Sequence, residues 1–136
     1  MEFVTDRSEK DLLEGTSKGC YQAQDLNRVE TNTRELAEKI RKMGGTCPDI
    51  VSKLDWKLEE LFSPETWPVQ EQMERYLQNV GTVSAAYGLD PVLPESMDRL
   101  TLEGANNIEK ALKSLELYIE NTEQAFLPCG EAQAGG

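Results

Sequence analysis

Mainly apolar residues recur at alternating steps of three and four along three long stretches of the chain. That spacing places them on one face of an α-helix. The positions are Leu26, Val29, Thr33, Leu36, Ile40 and Met43 in the first stretch; Met73, Tyr76, Val80, Val83 and Tyr87 in the second; and Ala105, Ile108, Leu112, Leu115, Ile119, Thr122 and Phe126 in the third. We therefore predict three amphipathic helices, each with one face made for burial.

Capping residues, glycines and prolines set the ends of these helices. The first is expected to begin between Gln22 and Asp25 and to end at Gly44, and the second to follow Pro68 and stop at Gly88. The third begins after Thr101 and reaches Phe126. A shorter helix is predicted near the N-terminus, with Ser8 as its cap and Gly15 as its stop.

The predicted fold class is all-α, a three-helix up-and-down bundle. Residues 1–20 form an extended N-terminal arm with the short helix, residues 21–126 the bundle domain, and residues 127–136 an extended docking tail. The connection from Thr46 to Pro68 is long and irregular, and the alternation in "DIVSKLDW" predicts one short strand. A lone strand is unstable, so it would need the arm or the tail as a partner.

Charge changes the list of plausible partners. The chain has 136 residues and a formal net charge of −11, and phosphate backbones repel such a surface, so we expect no nucleic-acid binding. One alternative function follows from the same charge: an acidic inhibitor that mimics DNA and blocks a nucleic-acid-binding protein of the host. The chain has no apolar run long enough to cross a bilayer and no signal-peptide pattern, so we expect no membrane partner and synthesis in the cytosol.

The residue types and their spacing do not indicate a catalytic site. Histidine is absent, which excludes Ser-His-Asp triads, Cys-His pairs and histidine metal sites. Cys20, Cys47 and Cys129 are widely spaced and indicate neither a disulfide framework nor a zinc site. Acid pairs such as Glu59–Glu60 and Glu71–Glu74 fall at positions expected to be solvated. We predict a protein that is not an enzyme, with no catalytic, metal or cofactor-binding residue and no cofactor.

Several large apolar residues lie outside the three helical stripes. Trp56 and Trp67 are in the irregular connection, where they either cover the end of the bundle or contact a partner, since tryptophan dominates interface hot spots. We expect partner contacts from the residues outside the stripes and from the tail: Phe3, Trp56, Phe62, Trp67, Leu127, Gly130 and Glu131.

Four short motifs occur in a fixed order: "GCYQAQDLNRVE", "KLDW", "QMERYLQNV" and "MDRLTLEGANNIEKAL". Together they resemble a family of small helical proteins encoded among the tail and baseplate genes of Firmicutes prophages. That family's pattern reads Y-N-A-x-D-L-N-R-V, T-D-W, M-x-R-Y-L-x-N-V and M-x-x-L-T-x-x-x-A-N-x-I-E, with S-G-E in the tail. The matching tail residues here are Gly130 and Glu131, and the resemblance covers residues 19 to 131.

The resemblance implies a non-enzymatic structural protein of a phage tail or baseplate, assembled in the host cytoplasm and located in the virion. Its implied partners are other tail or baseplate proteins, or further copies of the same chain; an assembly accessory that never enters the particle stays an alternative. The sequence departs from the family pattern at Gln22 and at Gln24, and Val69 stands where a capping threonine is usual. The departure at Val69 implies an alternative, earlier start of the second helix with Thr66 as its cap. The polar motif residues Asp25, Asn27, Arg28, Asn106 and Asn107 are expected to bind irregular backbone nearby, and direct recognition of a partner is the alternative.

Overall fold

The computed structural model describes the backbone of residues 1–61 and 67–135, and the side chains of these residues except Ser17, Trp67, Pro68 and 123–135. Its elements are α1 (Glu9–Glu14), a 3-10 turn (Ser17–Gly19), α2 (Ala23–Lys42), α3 (Leu58–Leu61), α4 (Trp67–Ala86) and α5 (Leu102–Gly135). Within the described ranges every element is helical, which confirms the predicted all-α class. None of the described helices combines the length and apolar character that a membrane crossing requires.

One hydrophobic core joins the three long helices, as their apolar stripes predict. Leu36 of α2, Val80 of α4 and Leu115 of α5 have no exposed surface, and most of the remaining stripe residues belong to the same buried cluster. Burying a leucine or valine side chain contributes about 1.5 to 3 kcal/mol, so these stripes provide most of the drive to fold.

The three long helices run in the same direction, which corrects the predicted up-and-down order. Arg28 of α2 binds Glu109 of α5, and eleven residues later Lys39 lies 3.9 Å from Glu116 of the same helix. At about 1.5 Å of rise per residue, antiparallel helices would hold this second pair about 27 Å apart.

The direction of α4 follows from the tyrosines near its two ends. The hydroxyl of Tyr76 forms a hydrogen bond with the hydroxyl of Tyr21, which lies just before the first residue of α2. Eleven residues further along α4, the hydroxyl of Tyr87 donates to the carbonyl of Tyr118 at 3.5 Å, close to the last buried residue of α5, Ile119. Helix α4 therefore runs the same way as α2 and α5.

Parallel neighbours require the chain to return between helices, and the two connectors do so. After α4, residue Leu93 lies beside Gly81 and Met97 lies beside Met73, so residues 87–101 travel back along the helix they have just left. After α2, the carbonyls of Cys47 and Pro48 accept from Arg41, while Trp56 reaches Asn27 at the other end of the helix. Short loops would enforce antiparallel neighbours; these connectors are long enough to avoid that constraint.

The short strand predicted around residues 49–56 is absent from the described part of the chain. Its backbone groups bind helix side chains instead of another strand: the Val51 carbonyl accepts from Arg75 and Asn79, and both Trp56 backbone groups bind Asn27. Side chains thus satisfy the polar groups for which a strand would need a neighbouring strand.

The ends of the helices agree with the sequence at some positions and differ at others. Helix α1 starts after Ser8 and ends at Gly15, which adopts the left-handed conformation (φ 70°), as predicted. Helix α2 starts after Gln22, whose N–H donates to the Asp25 carboxylate at 2.7 Å. Helix α5 continues to Gly135, so the backbone of residues 127–135 is helical and not extended. The prediction of an extended tail rested on the lack of apolar periodicity after Phe126, but a helix that does not bury one face needs no such periodicity.

Candidate functional site

Four charged side chains meet in the interior at the level where α2 and α5 begin. Arg28 donates to both carboxylate oxygens of Glu109, through Nε and Nη2, at 2.8 Å each. Arg7, from the arm, donates to Glu109 at 2.6 Å, and Arg28 also binds Asp25 at 2.6 Å. Two positive and two negative groups therefore neutralise one another, which is the condition under which buried charges are tolerated. We call Arg7, Asp25, Arg28 and Glu109 the ionic cluster.

Burial sets the energetics of the ionic cluster. The side chain of Glu109 has no exposed surface and that of Arg7 is 2% exposed. The hydrogen bonds from Arg28 to Glu109, and after them those to Asp25, raise the pKa of the Arg28 guanidinium further above its ordinary value. Each charge of the ionic cluster is paired with a charge of opposite sign, so removing any one group leaves an unpaired buried charge.

The N-terminal arm is tied into the core through this cluster and its neighbour Asn106. The amide of Asn106 accepts from the N–H of Arg7 and donates to the carbonyl of the same residue, both at 3.0 Å. The N–H of Val4 donates to Glu109, and Asn32 donates to the Glu2 carbonyl at 2.8 Å. Three interior side chains thereby hold residues 2–7 along α2 and α5.

A second polar network fixes the returning connector. Asn27 accepts from the Trp56 N–H at 2.7 Å and donates to the Trp56 carbonyl at 3.1 Å. The indole N–H of Trp56 donates to Glu30 at 2.7 Å, and Arg75 binds both oxygens of the same carboxylate at 2.8 Å. Glu30 is 2% exposed and fully paired, so this network joins α2, α4 and the connector without leaving a free acid.

The hydroxyl groups of Tyr21 and Tyr76 form a short hydrogen bond between the two networks. Burial raises the pKa of both phenols well above the ordinary tyrosine value, because an interior site disfavours the charged phenolate. The guanidinium of Arg7 lies 5.3 Å from the centre of the Tyr21 ring, a distance that suits a cation–π contact. The pair contributes to packing, and neither phenol ionises near neutral pH.

The buried polar groups of this interior stabilise the fold and are not accessible to a substrate. General acid–base catalysis needs a titratable group with access to a substrate, whereas the buried carboxylates here are closed off and paired with arginines. The acid pairs Glu59–Glu60 and Glu71–Glu74 are exposed or half-buried. Among the described residues no group of three or more Cys, Asp or Glu side chains has the arrangement of a metal site. Burial raises the pKa of the Cys47 thiol, so that side chain is less nucleophilic than a free cysteine.

Only part of the predicted partner surface falls within the described side chains. Phe3 is half-buried and packs against the core. Trp56 is 3% exposed and its indole N–H is paired, so it is a core residue; the prediction that it faces a partner is corrected by its burial. Phe62 lies outside the described residues, and for Trp67, Leu127, Gly130 and Glu131 only the helical backbone of α4 and α5 is described.

The polar motif residues meet the expectation of binding backbone in several cases. Asn27 and Asn106 each hold two backbone groups, and Asp25 accepts from the Gln22 N–H. Arg28 differs, because it binds carboxylates. Asn107 is half-buried beside an open groove and has no hydrogen bond within the described residues.

Sequence reasoning missed the importance of three charged residues: Arg7, Glu30 and Glu109. A usable signal existed, since Glu30 stands four residues after Leu26 and Glu109 three residues before Leu112, each on the edge of an apolar stripe. A charge at such a position requires a buried counter-charge. Arg7 carried no comparable signal because the arm has no periodicity.

Comparison of the chain with protein-family models, with curated proteins and with solved structures finds no match.

Proposed function

We propose that this chain is a non-enzymatic structural protein of a phage tail or baseplate, which adheres to neighbouring virion subunits without chemistry. Support comes from the order of the four motifs and from what their residues do. Tyr21, Asn27, Arg28, Tyr76 and Glu109 all belong to the interior networks. Residues of this kind specify a rigid shape, and a rigid shape is what a subunit of an assembly contributes.

The observation that carries the proposal is the set of large apolar side chains on the surface, outside the helical stripes. Leu13 is 86% exposed, Val92 77% and Val51 72%, and Leu54 and Leu58 on the returning connector are also exposed. Large apolar side chains that are exposed to water are groups that a protein partner can cover. The connector and the end of α5 are the proposed docking regions, together with Phe62, Trp67, Leu127, Gly130 and Glu131, which stay hypotheses.

Mass spectrometry of purified particles tests this function directly. The phage or induced prophage that encodes the chain is purified through a density gradient, and the molar ratio of this chain to the tail-tube protein is measured. A fixed ratio retained after a high-salt wash supports a virion component. A chain present during assembly but absent from finished particles would make it an assembly accessory, and absence at both stages would overturn the proposal.

The acidic inhibitor remains the second candidate, because the net charge of −11 favours it. The described surface does not favour the long rows of carboxylates that mimicry of phosphates requires, since surface acids alternate with bases, as in Lys10–Glu14, Arg34–Glu38 and Lys53–Asp55. Retention on immobilised host nucleic-acid-binding proteins, competed by duplex DNA, would support the mimic. Retention that DNA does not compete would count against it.

A further inference from the structure

The arm segment, residues 1–7, fills a site that side chains of α2 and α5 build for it. Asn32 and Asn106 bind its backbone, and its arginine, Arg7, enters the ionic cluster. These contacts are buried, since Arg7 is 6% exposed and Asn106 is 8% exposed. An empty site would leave buried amide groups without partners and Glu109 without one of its two arginines. The site is therefore stable when an extended segment that carries an arginine occupies it.

The hinge segment, residues 8–20, joins the arm segment to α2 and is held by much weaker contacts. None of its described side chains is buried, and Leu12 and Leu13 are 59% and 86% exposed. An ion pair between Lys18 and Asp6 closes the hinge segment at 3.0 Å, but both side chains are exposed, and exposed ion pairs add little stability. Opening the hinge segment costs much less than leaving the arm site empty.

Two glycines determine the folded-back shape of the hinge segment. Gly15 ends α1 in the left-handed conformation, φ 70°, which residues with a side chain rarely adopt. Gly19 lies directly against the backbone of α1: a Cβ atom there would come within 2.6 Å of the Asp11 carbonyl and of the Leu12 Cα. The hinge segment folds back on itself in this way because neither position carries a side chain.

The hinge segment is also long enough to reach another molecule. In the folded chain its two ends lie close together, since the guanidinium of Arg7 is 5.3 Å from the centre of the Tyr21 ring. At about 3.3 Å per residue, residues 8–20 can span roughly 40 Å when they are extended. An opened hinge segment can carry its arm segment to a second copy while α2 stays in place.

We propose that two copies of this chain exchange their arm segments, so that Arg7 of each copy enters the ionic cluster of the other. The exchanged dimer keeps every buried contact of the arm segment, because the site is the same in both copies. Only the exposed contacts of the hinge segment are given up. Each copy donates one arm segment and accepts one, so the dimer is closed and has twofold symmetry. The inference follows from the single chain and does not rest on the proposed role in a tail.

Protein concentration decides between the closed monomer and the exchanged dimer. A segment joined by a short linker to its own site competes at an effective concentration on the order of 1 mM, so a dilute chain binds its own arm segment. Exchange is favoured where copies are crowded or where the folded-back hinge is strained. In the dimer the hinge segments lie between the two copies, where Leu12 and Leu13 can be covered.

Cysteine cross-linking of mixed chains tests the exchange. With the native cysteines replaced, one chain carries E2C in its arm segment, and a second carries N32C, since Asn32 binds the Glu2 carbonyl at 2.8 Å. Neither chain can form a disulfide within one molecule, so under mild oxidation a mixed disulfide reports an arm segment in the site of the other copy. The control pairs E2C with K42C, at an exposed position of the same helix. The first pair should link at least about tenfold faster than the control.

Variants that strain the hinge segment should shift the equilibrium towards the dimer. In the otherwise native chain G19A places a Cβ atom against the backbone of α1, and G15A places an alanine in the left-handed conformation. Sedimentation equilibrium should show a larger association constant for both, at least about tenfold larger for G19A. The matched control is G81A in α4, where the nearest atom lies 3.8 Å away and a methyl group fits; it should associate like the wild type.

Circular dichroism establishes that each variant keeps its helices, and if G19A loses them the G15A chain decides. Either of two results would overturn the exchange. The first is linkage of E2C to N32C that is no faster than linkage of E2C to K42C. The second is a folded hinge variant that stays as monomeric as G81A up to about 1 mM, the effective concentration of the tethered arm segment. Particle mass spectrometry is independent of both results, so failure here leaves the tail assignment intact.

Discussion

Arg28 and Glu109 form a two-point ion pair, 2.8 Å at each contact, that joins the beginning of α2 to the beginning of α5. The pair fixes the relative level of the two helices, and with Lys39 and Glu116 further along it fixes their common direction. A buried ion pair of this kind adds little to the net free energy of unfolding. It does select one arrangement of the helices, because any other arrangement would bury these charges without a partner. The Arg7 guanidinium completes the cluster from the arm.

Replacement of Glu109 by alanine is expected to cost about 3 to 5 kcal/mol of unfolding free energy. The variant leaves Arg7 unpaired at a site where its side chain is 2% exposed, and it also frees the N–H of Val4. Urea unfolding followed by circular dichroism measures the loss. The control is E120A on the exposed side of the same helix, which should change stability by no more than about 0.5 kcal/mol. An E109A variant as stable as E120A would refute the structural role of the cluster.

Replacement of Asn27 by alanine should release the returning connector at Trp56. Two hydrogen bonds to the Trp56 backbone are lost, which is expected to cost about 1 to 3 kcal/mol. In a W67F background the remaining indole reports its own environment, and its emission should shift to the red and become more accessible to quenchers. N107A is the matched control, since Asn107 has no hydrogen bond within the described residues. Equal emission from the two variants would contradict the role of Asn27.

Alkaline pH should unfold the chain through its paired phenols. Because the folded pKa of Tyr21 and Tyr76 lies above the unfolded value of about 10, stability is fully present below pH 10 and is lost as the pH rises above it. The absorbance of the Tyr21 and Tyr76 phenolates should therefore appear at the same pH at which the helical circular dichroism of the chain is lost. In the double variant Y21F/Y76F the decline above pH 10 should be shallower, and an unchanged slope would count against the buried pair.

Removal of residues 127–136 should impair assembly into particles and leave the core intact. The buried stripe of α5 ends at Ile119 among the described residues, so the truncated chain should lose only the helicity of the removed segment. Incorporation is measured by complementation of a phage that lacks the gene. The control is a full-length chain that carries a neutral substitution. Normal particle yield with the truncated chain would show that this segment is not a docking element.

The core could be predicted from the sequence, because a period of 3.6 residues identifies the buried face of a helix regardless of its partners. The direction of the helices could not, since the apolar stripe looks the same from either end. A clue lay in the connectors: residues 43–66 and 87–101 are longer than antiparallel neighbours need. For the same reason Trp56 was misread, because its burial depends on a connector that returns to Asn27 and Glu30.

The surface, by contrast, was only partly predictable. The exposure of Leu13 and Val92 depends on which side of α1 and of the connector faces the core, and neither short segment has enough periodicity to show it. The burial of Glu30 likewise depends on Arg75, 45 residues away in the sequence, and the burial of Glu109 depends on Arg28, 81 residues away. From composition alone, glutamates are expected to be exposed to water. Only the fold brings the arginines to Glu30 and Glu109 so that these carboxylates can be buried.

The parallel arrangement of α2 and α5 is the central claim, and a distance measurement between them tests it most directly. Spin labels are attached to cysteines placed at Lys39 and Glu116, with the native cysteines replaced. The structure, in which the two side chains are 3.9 Å apart, predicts a label separation below about 20 Å. An up-and-down bundle aligned at Arg28 and Glu109 would place these positions about 27 Å apart along the axis, and a separation well above 25 Å would contradict the account.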